Sequence, residues 1–148
     1  MELQINQWKA EITSGNRCFN QQRVSDAIRH YENAKTVACA LFPYWQDTQA
    51  AVAAVVVSYH NLADVYLRES LPEHAGIELR KSHNFILNAL RDDERQQSCA
   101  CGRCPDEART DVLLKAASRT YLALIQHQGK YRSKTCQEAP IKPPVLTH

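Results

Sequence analysis

The amino-acid sequence predicts an all-α fold made of five helices. Long alanine-rich stretches without proline alternate with breaks at Pro43, Pro72, Pro105 and Gly129, a pattern typical of helices joined by short turns. Only four of the 148 residues are glycine, which disfavours a sheet-rich fold with many turns. We place the helices near 2–20, 24–42, 45–69, 72–92 and 105–128.

The third and fourth predicted helices show the clearest apolar periodicity. Apolar residues that recur at intervals of three and four form one continuous stripe on a helix and indicate a buried face. In the third helix the stripe consists of Val52, Val55, Val56, Tyr59, Leu62, Ala63 and Tyr66. In the fourth helix it consists of Ala75, Leu79, Ser82, Ile86 and Leu90. We therefore expect both helices to be buried along much of their length.

Start signals support three of these helices. Pro72 suits the first turn of the fourth helix, where its missing N–H leaves no hydrogen bond unmade. Ser25 or Asp26 is expected to cap the second helix by accepting a hydrogen bond from a first-turn N–H group. The segment "PDE", which opens the fifth helix, places acidic groups at the positive end of the helix dipole.

Length, charge and hydropathy limit the class of protein. A chain of 148 residues forms one domain and buries enough surface to fold without disulfides. The net charge of +2 is spread along the chain, so it gives no reason to expect a nucleic-acid or membrane partner. The N-terminal residues form no apolar leader, and the longest apolar run, 50–57, is far shorter than the ~20 residues of a membrane span. We expect a soluble, cytoplasmic protein.

Two segments share one spacing of small and aromatic residues. The first contains Gly15, Cys18, Ala27, Tyr31 and Ala34. The second contains Tyr59, Leu62, Ala63, Tyr66, Ala75 and Leu79. Small residues at such positions let the two helices of a hairpin approach closely, while the aromatic residues fill the remaining space. Over residues 8–92 the chain therefore resembles the tetratricopeptide-repeat (TPR) proteins.

The TPR resemblance implies a right-handed superhelix of antiparallel hairpins, here 2–42 and 45–92, with the helix 105–128 as a C-terminal cap of a domain covering 1–130. It also implies a concave surface that binds a peptide or a partner helix. The sequence departs from the family in its period, because Gly15 and Ala63 are 48 positions apart whereas the TPR unit has about 34 residues. A family of small TPR-like bacterial proteins without an assigned activity fits the same features.

The resemblance also suggests a binding site. In TPR proteins that capture an acidic C-terminal peptide, asparagines and basic residues on inner helices clamp the carboxylates. The matching positions are Asn16 and Asn61, with Lys115 and Arg119 one turn apart on the fifth helix, whereas Ile12 replaces one clamp lysine. Amide and guanidinium groups bind carboxylates well, but the same residue types are also common on solvated helix faces.

Cysteines in the segment "CACGRC" offer a second candidate site. Cys99, Cys101 and Cys104 place three soft ligands within six residues, as one side of a zinc site requires. Cys136 or His127 would supply the fourth ligand. Reduced thiols in a flexible loop, or a disulfide within it, explain the same residues, because the second Cys-x-x-Cys of a zinc knuckle is missing. We expect this loop at 93–104 and a flexible tail at 131–148.

The sequence shows no arrangement typical of catalysis. His60 and Asp64 share a helix face, but such a pair is usually a surface contact. We therefore expect a non-enzymatic adaptor that binds an acidic peptide or helix. The alternative is a metal- or redox-responsive regulator that uses the cysteine loop. The apolar edge of the first or last helix also offers a surface for a homodimer.

Overall fold

The chain folds into five α-helices and one short 3₁₀ turn. A computed structural model describes residues 1–98 and 107–138, and the side chains of residues 1–95 and 107–131. No β-strand occurs in these ranges, so the all-α prediction is confirmed. The helices are α1 (Glu2–Asn20), α2 (Val24–Leu41), α3 (Thr48–Arg68), α4 (Pro72–Ser98) and α5 (Glu107–Glu138), with the 3₁₀ turn at Phe42–Tyr44.

The first three helices and the start of the fourth lie within three residues of their predicted positions, but α4 and α5 continue beyond their predicted ends. The first six residues of the predicted cysteine loop, 93–98, are helical in α4, and the first eight residues of the predicted tail, 131–138, are helical in α5. Gly129 resembles a stop signal in the sequence, yet a glycine inside a helix costs only about 1 kcal/mol. A helix as long as α5 accommodates it.

The helix starts use different devices. Pro72 opens α4 as predicted. The Asp47 side chain caps α3 by accepting a hydrogen bond of 3.0 Å from the backbone N–H of Ala50. The predicted cap of α2 is wrong, because α2 begins at Val24 and Asp26 pairs with Arg23 at 2.7 Å instead of binding a first-turn N–H group.

The turns that follow α1 and α3 have the same geometry. Gln22 and Ser70 adopt φ angles of 60° and 59°, the left-handed conformation that reverses a chain after a helix. In the first turn, N–H groups of Gln22 and Arg23 donate to carbonyls of Phe19 and Cys18. The same pair of hydrogen bonds recurs 48 positions later, where Ser70 and Leu71 donate to Leu67 and Tyr66. The chain therefore contains a structural repeat with the period found in its sequence.

The small residues of the two predicted hairpins lie at helix contacts. A Cβ atom on Gly15 would stand 2.5 Å from Cε1 of Tyr31, so α1 and α2 approach too closely there for any other residue without a rearrangement. Ala27 is fully buried beside Cys18 and Tyr31. Ala63 packs in the same way against α4, in a buried cluster with Ala75 and Leu79.

The core centres on α3, which contacts all four other helices, while each helix also packs against the next in the chain. Leu62, Val55 and Val65 are fully buried in it. In the described part of the chain, α3 is the one helix long and apolar enough to cross a membrane by length and composition. Because its apolar side chains pack against the other helices, these properties are those of a core helix and are consistent with a soluble protein.

Candidate binding groove between α3 and α5

Two cavities follow one another along the contact between α3 and α5. The first, of about 570 Å³, lies between residues 49–57 of α3 and 111–120 of α5. The second, of about 610 Å³, lies between residues 60–67 of α3 and 123–131 of α5, with the start of α4 closing one side. Later segments of α3 thus face later segments of α5, so the two helices run in the same direction. We call this combined depression the α3–α5 groove.

The first half of the groove has an apolar wall on α3 and a basic edge on α5. Val52, Val56 and Val57 line it from α3. Lys115 and Arg119 line it from α5 and are both exposed. Lys115 pairs with Asp111, also on α5, at 2.8 Å, whereas Arg119 forms no ion pair with a residue that the structure describes. Arg119 is therefore available to an anionic ligand.

The second half of the groove contains an acid and two histidines. His60 and Asp64 line its α3 wall, and His127 lines its α5 wall together with Tyr131. His127 Nε2 lies 2.8 Å from the carbonyl of Pro72, to which it donates a hydrogen bond, so α5 is tied to the start of α4. Nε2 of His60 is buried and has no hydrogen-bond partner among the described residues. This half therefore combines apolar side chains with a carboxyl group and two imidazole groups.

Burial perturbs the two titratable groups on the α3 wall. It lowers the pKa of His60, an effect that the negative charge of Asp64 partly offsets. It raises the pKa of Asp64, with an opposing contribution from His60. Both groups are thus held toward their neutral forms, and a cationic group entering this half of the groove would favour ionisation of Asp64.

A comparison with known protein families shows to which family the chain belongs. A family model described as "Protein of unknown function (DUF2753)" matches residues 6–139, which cover all five helices almost completely. The chain belongs to the DUF2753 family. No curated protein and no solved structure matches it.

The structure of this DUF2753 chain brings only part of the predicted clamp together. Lys115 and Arg119 both line the groove, as described above. Asn16 and Asn61 do not line either cavity. The Oδ1 atom of Asn16 accepts a hydrogen bond of 2.6 Å from the hydroxyl of Tyr31 on α2. Asn61 lies between Ser58 and Arg68, both of which contact α1, so it belongs to the α1 side of α3. The four-residue clamp stays a prediction.

The proposed metal site lies largely outside the described residues, which include neither Cys99 and Cys101 nor Cys104. Cys136, expected in a flexible tail, instead lies within α5. The alternative ligand His127 uses Nε2 in the hydrogen bond to Pro72. Within the described ranges, no group of three His, Cys, Asp or Glu residues is arranged to hold a metal ion. Zinc binding and redox regulation stay predictions, which the metal content of protein purified without chelator would test.

Sequence reasoning missed the α3 wall of the groove. His60 and Asp64 resemble a surface contact in the sequence, yet they belong to a second stripe on α3, next to the buried one. This stripe has a signal in the sequence, because its members also recur at intervals of three and four. They are Ala53, Val57, His60, Asp64 and Leu67. A helix with two adjacent stripes of this kind contacts a neighbour on one side and lines a groove on the other.

Proposed function

We propose that this DUF2753 chain is a non-enzymatic interaction module of the cytoplasm that binds an acidic peptide or partner helix in the α3–α5 groove. The observation that carries the proposal is the combination of a long apolar depression with an exposed basic edge at Lys115 and Arg119. Grooves between parallel helices are suited to linear segments because a peptide can follow both helices over several turns.

The proposal includes a TPR-like arrangement of the helices, which two observations support. The two left-handed turns, at Gln22 and Ser70, repeat with the period of 48 residues that relates Gly15 to Ala63. In addition, α3 contacts both α1 and α5, so the first helices of successive units are neighbours. In the proposed array these helices form the inner surface, and α5, predicted as the capping helix, takes the place of the first helix of a third unit.

The chemistry of the groove favours a particular kind of ligand. A carboxylate placed near Arg119 would form charge-assisted hydrogen bonds with its guanidinium group. Apolar side chains of the ligand would cover Val56 and Val57, and further along they would reach Leu67, which is 45% exposed. We therefore expect an acidic residue followed or preceded by apolar residues at intervals that match one face of a helix or strand.

A selection from a displayed peptide library tests the proposal, because it samples many acidic and apolar patterns at once. Purified full-length chain is the bait, and the variant Arg119→Glu is used to remove peptides that bind elsewhere. Peptides that remain are expected to be rich in Asp or Glu next to apolar residues. Their affinity should fall as salt rises, because Arg119 is exposed and its attraction for a carboxylate is screened.

The matched control is Arg80→Glu, which reverses another exposed arginine, on α4, that does not line the groove. The Arg119→Glu variant should weaken binding of a selected peptide about tenfold or more, as expected for the loss of a charge-assisted contact and the introduction of repulsion. Arg80→Glu should leave the affinity within about twofold. Equal effects of the two variants, or selected peptides without acidic residues, would contradict the proposed site.

A further inference from the structure

The outward face of α5 carries a stripe of apolar side chains that the described part of the chain leaves about half exposed. Leu114, Tyr121, Leu122 and Ile125 are between 43% and 56% exposed. They recur at intervals of one, three and seven residues and so lie on one side of the helix. Ser118, which is also exposed, lies in the middle of this side. We call these five residues the α5 seam.

The seam is distinct from the faces of α5 already described. Leu113, Ala116, Ala117 and Thr120 are buried and face the core. Lys115 and Arg119 face the groove. At the seam, the ring of Tyr121 packs beside His83 of α4, with the ring centres 5.8 Å apart and the ring planes tilted by 39°. A terminal helix of a stacked array commonly exposes such a face unless another element covers it.

We propose that the α5 seam binds the α5 seam of a second copy of this chain, with the two helices antiparallel. An antiparallel pair with its centre between Ser118 and Tyr121 makes the stripe complementary to itself. Leu114 then lies opposite Ile125 of the second copy, and the small Ser118 lies opposite the large Tyr121. Each contact occurs twice, as the twofold symmetry of a homodimer requires.

Charge along α5 supports the antiparallel direction. The exposed residues Glu107 and Asp111 continue the seam toward the helix start. The same register places Glu107 opposite position 132 of the second copy, which is an arginine in the sequence, and Asp111 opposite Gln128. A parallel pair would instead set Glu107 and Asp111 against their own copies. Since like charges at such positions repel, the charge pattern favours a second antiparallel copy over a parallel one.

Cysteine crosslinking in the full chain tests both the interface and its direction. Leu114→Cys and Ile125→Cys chains carry tags of different size and are treated with a short bis-maleimide, separately and as a mixture. In the antiparallel pair, position 114 lies opposite position 125 but is about 16 Å along the axis from its own copy. A crosslink is therefore expected in the mixture and not in either chain alone. The unsubstituted chain, with its six cysteines, gives the background.

Sedimentation equilibrium gives a second measurement that needs no crosslink. The unsubstituted chain should dimerise reversibly, and Leu122→Glu should raise the dissociation constant of the dimer about tenfold to a hundredfold, because symmetry removes the leucine contact twice. The control Ile77→Glu changes a residue of α4 that is 45% exposed and lies outside the seam, and it should leave the constant unchanged. A monomer at every concentration, a crosslink of Leu114→Cys with itself, or a dimer insensitive to Leu122→Glu would overturn the proposal. None of these variants touches Arg119, so this result is independent of peptide binding.

Discussion

Replacing Gly15 by alanine should destabilise the protein, although alanine is the better helix former. In an open helix position the substitution would gain about 1 kcal/mol. At Gly15, however, the added Cβ atom would lie 2.5 Å from Cε1 and 2.6 Å from Cδ1 of Tyr31. The Tyr31 ring is only 2% exposed and its hydroxyl donates to Asn16, so it cannot move away without further cost. Overpacking costs about 1–3 kcal/mol and a weakened hydrogen bond about 0.5–1.5 kcal/mol. We expect a net loss of about 1–2 kcal/mol.

Two other glycines provide matched controls for the same chemical change. A Cβ atom on Gly129 of α5 would meet no atom of the described residues within 4 Å, so Gly129→Ala should stabilise the protein by up to about 1 kcal/mol. A Cβ atom on Gly76 would lie 3.1 Å from Nε2 of His127, the atom that donates to Pro72. In Gly76→Ala, the gain from the better helix former and the loss from the disturbed hydrogen bond are of similar size. We therefore expect a change near zero in the free energy of unfolding.

Urea unfolding followed by circular dichroism at 222 nm, the ordinary helix signal, measures the three free energies of unfolding on one scale. The expected order of stability is Gly129→Ala, then the unsubstituted chain together with Gly76→Ala, then Gly15→Ala. For a chain of this length about 1 kcal/mol corresponds to roughly 2–4 °C in Tm. If Gly15→Ala were as stable as Gly129→Ala, the close approach of α1 and α2 at Tyr31 would be refuted.

Three further changes test the turns, the groove and the second hairpin. Ser70→Gly should raise the unfolding free energy by about 0.5 kcal/mol, because glycine adopts the positive φ of this residue without strain; a loss of stability in urea would contradict the turn geometry. Since burial lowers the pKa of His60, the unfolded state binds its proton more readily, and stability is lost as pH falls below about 6.5. The raised pKa of Asp64 has the opposite effect on stability, at lower pH. His60→Gln should therefore reduce the loss of stability between about pH 7.5 and about pH 5.5. An unchanged loss would exclude His60 as its source. Ala63→Leu should cost about 1–3 kcal/mol by overpacking, whereas the exposed Ala53→Leu should cost less than about 0.5 kcal/mol; equal stability of the two variants would show that Ala63 is not at a close helix contact.

Much of the fold could be predicted because its helix contacts depend on residue size. Gly15, Ala27 and Ala63 are distinguished from their neighbours by the absence of a large side chain, and they occupy close contacts in the structure. The ends of α4 and α5 could not be predicted in the same way. Residues 93–98 and 131–138 are polar, and a solvated helix end has the same composition as a loop. Cap residues were ambiguous as well, since Asp26 has arginines on both sides that compete with the backbone.

The sequence indicated only part of the lining of the groove. Lys115 and Arg119 were expected one turn apart on the helix that closes the array, and both line the groove, while their role in binding stays a prediction. His60 and Asp64 could not be predicted, because their importance depends on α5, which lies about 60 residues later in the chain and forms the opposite wall. The seam could not be predicted from the sequence for the same reason. Leu114 and Ile125 look like core residues in an amphipathic pattern, and only the placement of α3 and α4 shows that they face outward.

The groove and the seam together predict that the dimer binds divalent partners more tightly than single peptides. At 100° per residue, the core, groove and seam faces of α5 are separated from one another by about 95–135°. The twofold axis of an antiparallel helix pair is perpendicular to the plane that contains both helices. Rotation about this axis exchanges the helices and reverses their direction, but a face that points to one side of the plane still points to that side. Both grooves therefore open on the same side of the dimer. A ligand with two linked acidic segments should then bind with an avidity of about 10²–10⁴ over the single segment, provided its linker spans the two helices. Leu122→Glu should abolish this gain and leave the affinity for the single segment unchanged, whereas Arg119→Glu should weaken both. The measurement is calorimetric titration of each variant with the single and the linked peptide. Retention of the full gain in Leu122→Glu would show that the two grooves do not act through the α5 seam.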